Sequence, residues 1–342
     1  MLDNTSQLLL RNIDFLSGKV LLVEPMADRL AAELKQQAPE LELFCLTSNI
    51  AVANNWQQQS KSPCYLGDAL PADLTVDKVV LFYPKSKDQL QSSLAQIKTV
   101  LHDKTEVYLV GDNKGGIKSL GNQAEKLGLK AFKHDNAKHC LWFELDGLLQ
   151  SELKTADFHQ FSIEKAGISL KLCSLPGVFN HGKLDLGTNL LLEHLGHIQQ
   201  GKVLDFACGA GFIGAFLVKR HPEIKLTASD ISTLAVSSTA ATLKANKLPG
   251  ETIAADGIPS RSAAYDHIVS NPPFHTGLKT DYHISEQFFR DAFNELKPGG
   301  TLTLVANVHL PYVAQLTEIF GQVKELGRRD GFVVYYCKKD RK

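Results

Sequence analysis

Strand-like and helix-like patterns alternate through the C-terminal half of this 342-residue chain, and that alternation limits the fold more than any other feature. Short apolar runs are followed by longer segments with helical spacing. The alternation predicts an α/β fold, a mostly parallel sheet with helices on both faces. The predicted strands are residues 202–206, 224–229, 251–255, 267–270, 301–305 and 332–337, the last in an antiparallel edge pair. The predicted helices are residues 212–221, 233–245 and 285–296, with a Pro-Gly-Gly sequence ending the third.

The N-terminal half carries a weaker copy of this pattern. Residues 19–23 resemble 202–206, residues 78–84 resemble 267–272, and residues 106–112 resemble 301–307. A chain of this length is expected to form two domains, so the sequence predicts two α/β domains in tandem. Two unrelated α/β domains would also look alike at this level. Residues 158–173, between the halves, have the pattern of a hairpin, and a helix is predicted to begin near residue 190.

Composition is that of an ordinary globular protein. Hydrophobic residues make up 44% of the chain and charged residues 22%. The 37 basic and 37 acidic residues cancel, so a polyanionic partner would have to be held by a local patch. None of the six cysteines lies in a CxxC pair, which argues against a zinc site and suits a reducing cytosol. With no signal peptide or membrane-spanning pattern, we expect a cytoplasmic protein without a metal.

The sequence Asn271-Pro272-Pro273-Phe274 follows the predicted strand 267–270. Two consecutive prolines cannot continue a strand, because each fixes φ and lacks a backbone donor. The strand therefore ends here, at the edge of the sheet where α/β proteins bind ligands. The Asn271 amide oxygen and a neighbouring carbonyl offer two acceptors for the two N–H bonds of a flat amino group, and Phe274 can stack on a planar ring. These residues predict a site that holds an exocyclic amine for alkylation.

A glycine-rich turn, Gly209-Ala210-Gly211-Phe212-Ile213-Gly214, links the predicted strand 202–206 to a helix. Such a turn lets the backbone approach a ligand closely, and with Asp230 after the next strand it also fits a dinucleotide site. Asp205 immediately before the turn argues against an anionic pyrophosphate. A sulfonium cofactor suits better, with Asp205 meeting an ammonium group or ordering the loop, Asp230 on the ribose and Asp256 at the adenine edge.

These segments resemble known methyltransferase motifs. Residues 205–211 with Asp230 resemble the S-adenosylmethionine (SAM) loop of class I methyltransferases, and residues 271–274 resemble their amino-methylating motif. The segments 176–179, 184–188 and 305–312 are similar to the RsmC family of bacterial 16S ribosomal RNA guanine-N2 methyltransferases. The chain departs from the motif at Ala207, where glycine is common. A sister family acting on 23S RNA shares most of these motifs.

The resemblance implies two Rossmann-like class I methyltransferase domains with a degenerate first domain. Residues 1–155 would dock the substrate, residues 156–182 would connect, and residues 183–342 would bind SAM and catalyse. The expected partner is 16S rRNA in the 30S subunit or an assembly intermediate, bound by a monomer. The implied catalytic residues are Asn271, Pro272 and Phe274. The implied cofactor-binding residues are Asp205, Gly209, Gly211, Asp230, Ile231, Asp256, Gly257, Asn271 and Thr188.

Some weaker candidates come from the residues alone. Asp185 is expected to cap a helix beginning near Thr188, although it could also reach the cofactor's amine. Cys208 is expected to pack behind the loop rather than act as a nucleophile. Residues 78–139 carry 11 basic and 6 acidic groups, which suits either a phosphate-binding patch or a solvated face.

Alternative functions stay open at this point. The Asn-Pro-Pro turn also serves methylation of a protein glutamine or a DNA adenine. The Gly loop alone would permit a nicotinamide dehydrogenase. A ribosome-assembly factor that binds RNA without catalysis is a further alternative, against which the intact Asp205, Gly209, Asp230 and Asn271 argue.

Overall fold

The computed structural model describes residues 2–67, 70–179, 182, 184–260, 264–273 and 279–340, without the side chains of residues 279–283. The chain divides into two compact units, Met1–Asp157 and Phe158–Lys342. Among the described residues, no helix combines the length and apolar composition needed to cross a membrane.

The first unit is a seven-stranded sheet with helices on both faces. Its strands are β1 (Lys19–Val23), β2 (Glu42–Thr47), β3 (Cys64–Leu66), β4 (Lys78–Phe82), β5 (Glu106–Asp112), β6 (Lys130–Ala137) and β7 (Cys140–Asp146). Its α-helices are α1 (Asn4–Arg11), α2 (Leu30–Gln37), α3 (Ile50–Ser60), α4 (Lys87–Ile97) and α5 (Leu120–Lys126). Short 3-10 helices lie at Ile13–Phe15, Lys98–Val100, Asn113–Gly115 and Ile117–Ser119. Neighbouring residues of the central strands alternate between two apolar clusters, as Leu21 and Leu22 do, which explains their continuous burial.

The second unit contains a hairpin and a second seven-stranded sheet. The hairpin strands are β8 (His159–Lys165) and β9 (Ile168–Ser174). The sheet strands are β10 (Gly201–Phe206), β11 (Ile224–Asp230), β12 (Glu251–Ala254), β13 (Tyr265–Ser270), β14 (Leu296–Asn307), β15 (Val323–Arg329) and β16 (Phe332–Lys338). The helices are α6 (Leu186–Glu193), α7 (Phe212–Arg220), α8 (Thr233–Ala245), α9 (Lys279–Glu295) and α10 (Tyr312–Phe320).

Both sheets have the same strand order, which confirms the predicted tandem fold. The order is β3-β2-β1-β4-β5-β7-β6 in the first unit and β12-β11-β10-β13-β14-β16-β15 in the second. In each sheet the first five strands in this order pair in parallel, and the last two are joined by antiparallel pairing. The chain reverses direction across the sheet between the first and fourth strands, so a ligand crevice is expected at that switch point.

The sequence prediction was wrong at the junction of α9 and β14. A strand was expected only from residue 301, but β14 begins at Leu296, which pairs with Tyr265. The Pro-Gly-Gly sequence is accommodated inside the strand because Gly299 takes φ +82° and donates its N–H to the Lys339 carbonyl at 2.8 Å. A register shift between Tyr265 and His267 absorbs this irregularity.

The predicted hairpin is present, and its turn residues Ala166 and Gly167 both have positive φ, as a tight two-residue turn requires. Strand β9 lies along α8, where polar side chains satisfy backbone groups that a sheet partner would otherwise bind. Thr242 Oγ1 accepts from Cys173 N and Ser238 Oγ accepts from Leu175 N, both at 3.0 Å. The segment after β9 then lies against the loop that follows β10, where Val178 packs on Ala210.

Candidate functional site

A cavity of about 710 Å³ lies at the carboxyl ends of the central strands of the second unit. Each of four parallel strands contributes wall residues from the loop that follows it or from its own end. Six of the residues predicted to form the site lie on the wall: Gly209, Asp230, Ile231, Asp256, Gly257 and Asn271. The volume is within the range of small-molecule and cofactor sites.

The loop between β10 and α7 is shaped by residues with left-handed backbone. Ala207, Gly209 and Gly211 have φ of 58°, 56° and 80°. Ala207 thus occupies a conformation that glycine adopts without strain, which gives the departure from the family motif a backbone cost. A side chain at Gly211 would approach Thr239 Cγ2 to 2.7 Å, so this glycine lets the loop pack on α8. Gly211 itself does not belong to the described cavity wall.

Asp205 lies beneath this loop and is fully buried. One carboxylate oxygen accepts from Gly214 N at 2.8 Å, at the start of α7, and the other has no hydrogen-bond partner within the described part of the chain. Burial raises the pKa of this carboxyl to about 7. Because Asp205 is absent from the described cavity wall, the geometry favours loop ordering over direct contact with a ligand.

Cys208 packs behind the loop as predicted, with its sulfur accepting from Thr239 Oγ1 at 3.2 Å. Burial raises the pKa of its thiol well above the ordinary value. A thiol held in its neutral form is a poor nucleophile.

Asp230, at the end of β11, joins the loop to the cavity. Its carboxylate accepts from Gly209 N at 3.0 Å and from Ser232 N at 2.9 Å. Burial raises the pKa of this carboxyl, while those N–H donors oppose the shift. Exposed Ile231 and Asp256 lie beside it, together with Gly257, whose φ is +87°.

Asn271 lies directly after β13, and its amide is fixed at the nitrogen end. Nδ2 donates to Thr188 Oγ1 at 2.9 Å and lies 3.3 Å from Asp185 Oδ2. Neither Thr188 nor Asp185 is on the described wall of the main cavity, whereas Asn271 is. The amide nitrogen is therefore turned to residues off the main wall, which leaves Oδ1, at the opposite end of the planar group, as the end available to the cavity.

The remaining predicted residues lie around Asn271. Thr188 contributes with Asn271 to a small hollow beside the main cavity, so the structure places it against the amide rather than on the main wall. Asp185 caps α6 as predicted, accepting from Gly187 N at 2.9 Å. Pro272 is buried and lines another small hollow, with Asn307 and Tyr312. Phe274 lies outside the described residues.

Helix α9 supplies wall residues that sequence reasoning missed. The Phe288 ring stacks on Phe206 with centroids 4.5 Å apart, and Gln287 Nε2 donates to Asp291 Oδ1 at 2.8 Å. All four line the cavity. The available signal was the spacing of Gln287 and Asp291, four residues apart on one helix face, but nothing local indicates which face meets the cavity.

The charges of the cavity wall discriminate between cofactors. Its described lining includes three carboxylates, Asp230, Asp256 and Asp291, and no lysine, arginine or histidine. Such a wall suits a ligand that carries positive charge and hydroxyl or amino donors, and it opposes an anionic pyrophosphate. The residues therefore fit S-adenosylmethionine better than a nicotinamide dinucleotide. No group of three His, Cys, Asp or Glu side chains among the described residues is placed to hold a metal ion.

Comparison with known proteins gives the same family over the whole chain. The family model "Methyltransferase small domain" matches residues 169–336, and "Methyltransferase small domain N-terminal" matches residues 6–163. Ribosomal RNA small subunit methyltransferase C of Pseudoalteromonas translucida is 38% identical, across 98% of this chain and 99% of that protein. The protein of that name from Hahella chejuensis is also 38% identical, across 98% of both chains.

Among solved structures, the chain is similar to the T. thermophilus 16S rRNA N2 G1207 methyltransferase (RsmC) in complex with AdoMet and guanosine. The TM-score is 0.82 at 25% identity, and the match covers 98% of this chain and 92% of that one. The two curated relatives share one name and match this chain over nearly its whole length, which establishes the family. The chain belongs to the ribosomal RNA small subunit methyltransferase C family.

Proposed function

We propose that this chain transfers the methyl group of S-adenosylmethionine to the exocyclic N2 amino group of a guanine in 16S rRNA. The observation that carries the proposal is the fixed amide of Asn271 on the cavity wall, whose nitrogen is held by Thr188 and Asp185, so that its oxygen is the end left for a ligand. An acceptor in that position can bind an amino group, which has only N–H bonds to offer.

The cofactor would be held by the wall residues Gly209, Asp230, Ile231, Asp256 and Gly257. Asp230 accepts hydrogen bonds from ribose hydroxyls, and Asp256 lies at the adenine edge. Asp205 and Gly211 act from behind by fixing the loop. When bound, S-adenosylmethionine supplies an electrophilic methyl group.

The protein's own contribution is to position and activate the amine. The lone pair of the guanine amino group is delocalised into the ring, which makes the nitrogen a poor nucleophile. Asn271 Oδ1 and the Pro272 carbonyl accept its two hydrogens and favour pyramidal geometry at the nitrogen. The proton leaves after the nitrogen has gained its methyl group, so no strong base or covalent intermediate is needed. The motif resemblance assigns stacking on the extruded base to Phe274, and such a contact contributes about 1–3 kcal/mol.

The choice of guanine and of the small subunit is supported by the relatives. One was solved with AdoMet and guanosine and is described as a 16S rRNA N2 methyltransferase. We extend the same substrate to this chain, acting as a cytoplasmic monomer on the 30S subunit or an assembly intermediate. The first unit docks the RNA. Guanine N2 in 23S rRNA, a protein glutamine, a DNA adenine and assembly without catalysis are the outcomes that the test must exclude.

Labelled S-adenosylmethionine tests the proposal directly. The protein is incubated with naked 16S rRNA, 30S subunits, assembly intermediates and 50S subunits from a strain that lacks the enzyme. We expect label on one guanine of 16S rRNA, identified by nuclease mapping and mass spectrometry. Asn271→Ala is the control that separates protein-dependent label from background. Label only on 50S subunits, on protein or on DNA would replace the proposed substrate, and binding without label would support an assembly factor.

A further inference from the structure

Asp185 reaches Asn271 from a distant part of the chain, since 86 residues separate them. It stands immediately before α6, outside both the cofactor loop and the Asn-Pro-Pro turn. Its two carboxylate oxygens lie 3.4 and 3.3 Å from Asn271 Nδ2. We infer that Asp185 is a positioning residue, which determines that Asn271 presents its oxygen and not its nitrogen to the amino group of the substrate. The inference rests on the proposed methylation of an amine.

The chemistry of the two neighbours separates their roles. The hydroxyl of Thr188 can accept or donate, so it would pair with either end of the Asn271 amide. A carboxylate only accepts. Of the two ends of the Asn271 amide, Asp185 can therefore pair only with the nitrogen. The orientation of Asn271 is therefore set by Asp185, while Thr188 strengthens whichever orientation exists.

The carboxylate is held rigidly enough for this role. As the N-cap of α6 it accepts from Gly187 N at 2.9 Å and from Thr188 N at 3.2 Å. A Cβ at Gly187 would lie 3.0 Å from Asp185 Oδ1 and 3.0 Å from the Phe332 ring. The missing side chain thus lets the start of α6 pack against β16 and brings the carboxylate up to Asn271.

Asp185→Asn isolates the orienting role from the capping role. An asparagine oxygen still caps α6, but its amino group now faces Asn271 Nδ2. Two donors cannot bond each other, so Asn271 turns over and offers N–H groups to the substrate amine. We expect kcat to fall about 10²–10³-fold, as when one preorganised polar group is lost from a transition state. The unfolding temperature and the Kd for S-adenosylmethionine stay at wild-type values.

A matched control exists in the first unit. Asp3 also caps a helix, with Oδ1 accepting from Thr5 N at 2.8 Å, and it lies outside the unit that holds Asn271. Asp3→Asn makes the same substitution at an N-cap, and we expect unchanged kcat.

Exchanging the side chains of residues 185 and 271 distinguishes an effect on the orientation of the amide from a general loss of structure at the site. Asn271→Asp alone places two carboxylates in contact and should be nearly inactive. In the double variant Asp185→Asn/Asn271→Asp, the amino group of residue 185 again bonds residue 271, which again presents an oxygen. We expect the double variant to recover at least tenfold in kcat over either single variant. A purely structural role for Asp185 predicts additive losses instead.

Nuclear magnetic resonance tests the contact without any RNA. The side-chain NH₂ signals of Asn271, assigned by their loss in Asn271→Ala, should shift and exchange faster with solvent in Asp185→Asn. Unchanged signals overturn the inference, as does a kcat within threefold of wild type or a loss of SAM affinity that matches the loss in kcat. Wild-type protein that methylates no guanine would refute the proposed function, and the spectra would still test the hydrogen bond.

Discussion

The two units share one strand order but differ at two strand ends where the second unit forms its site. At the penultimate residue of the first central strand, the second unit has Asp205 and the first unit has Leu22, both fully buried. After the fourth strand of the sheet, the second unit has Asn271 and the first has Tyr83. The shared fold therefore accommodates different residues at these two strand ends, and the site depends on the polar ones.

The acidic residues at the strand ends have different hydrogen-bond partners in the two units. In the second unit, Asp230 at the end of β11 accepts from the loop nitrogen of Gly209. In the first unit the carboxylate comes from the opposite side, because Glu24 after β1 accepts from Thr47 Oγ1 and Ser48 N, both at 2.9 Å. Glu24 thus uses its acceptors on its own neighbours, whereas Asp230 stands on the wall of an open cavity.

Tyr83 follows β4 in the first unit as Asn271 follows β13 in the second, and its side chain is used for internal packing. A Cβ at Gly111 would lie 2.6 Å from Tyr83 Cβ, and Tyr83 packs against the apolar cluster on one face of the first sheet. Asn271 has hydrogen bonds to polar partners in place of that packing. The comparison indicates that the first unit keeps the fold of a methyltransferase and has converted the ligand edge into internal contacts.

The largest expected effect is on kcat and comes from Asn271, the residue at the catalytic position of the second unit. Asn271→Ala removes the acceptor for the substrate amine, and we expect kcat to fall about 10²–10³-fold with the Kd for S-adenosylmethionine unchanged. Steady-state methylation of 30S subunits and calorimetric titration of the cofactor measure the two quantities. Tyr83→Phe is the matched substitution in the first unit and should leave both unchanged. Near-normal turnover by folded Asn271→Ala would remove Asn271 from the mechanism.

Whether a feature of the fold or of the site could be predicted from the sequence depends on how far apart in the chain the interacting residues lie. The strand ends with Asp230 and Asn271 were found by pattern, because an apolar run stops at each and two prolines follow Asn271. The position of Asp205 was predicted but not its burial, since the pattern does not show which way a loop folds over a strand. The Asp185–Asn271 contact and the α9 wall were missed because they arise from packing of segments distant in sequence, which no local periodicity reports.

A second test replaces a charged side chain on the cavity wall by a neutral one of the same size. Asp230→Asn keeps the size of the side chain but loses the charge that attracts hydroxyl donors and holds Gly209 N. Because hydrogen bonds to charged groups contribute about 1.5–3 kcal/mol, we expect the Kd for S-adenosylmethionine to rise about 10–100-fold. Isothermal titration calorimetry measures it. An unchanged Kd would place the cofactor elsewhere than beside Asp230.

The buried Asp205 predicts a pH dependence that Leu22 cannot give the first unit. Its pKa is about 7 in the folded protein against an ordinary value of 3.8, so between about pH 4 and 7 the folded state binds more protons than the unfolded state. The free energy of unfolding should therefore fall as the pH rises, by up to about 1.4 kcal/mol per pH unit. Asp205→Asn should lack this slope in urea unfolding from pH 5 to 7. Parallel pH profiles of the two proteins would contradict the raised pKa.

The smallest expected effect comes from changing a carboxylate of the first unit, which tests whether that unit takes part in cofactor binding. Glu24→Gln makes the same carboxylate-to-amide change as Asp230→Asn, but at a residue whose carboxylate bonds Thr47 and Ser48 of its own unit. Loss of one charged acceptor should lower the free energy of unfolding by about 1–2 kcal/mol and leave cofactor affinity and kcat unchanged. Urea unfolding and cofactor titration, run beside Asp230→Asn, measure both effects. A weaker cofactor affinity in Glu24→Gln would mean that the first unit still takes part in binding the cofactor, and the division of roles between the units would then fail.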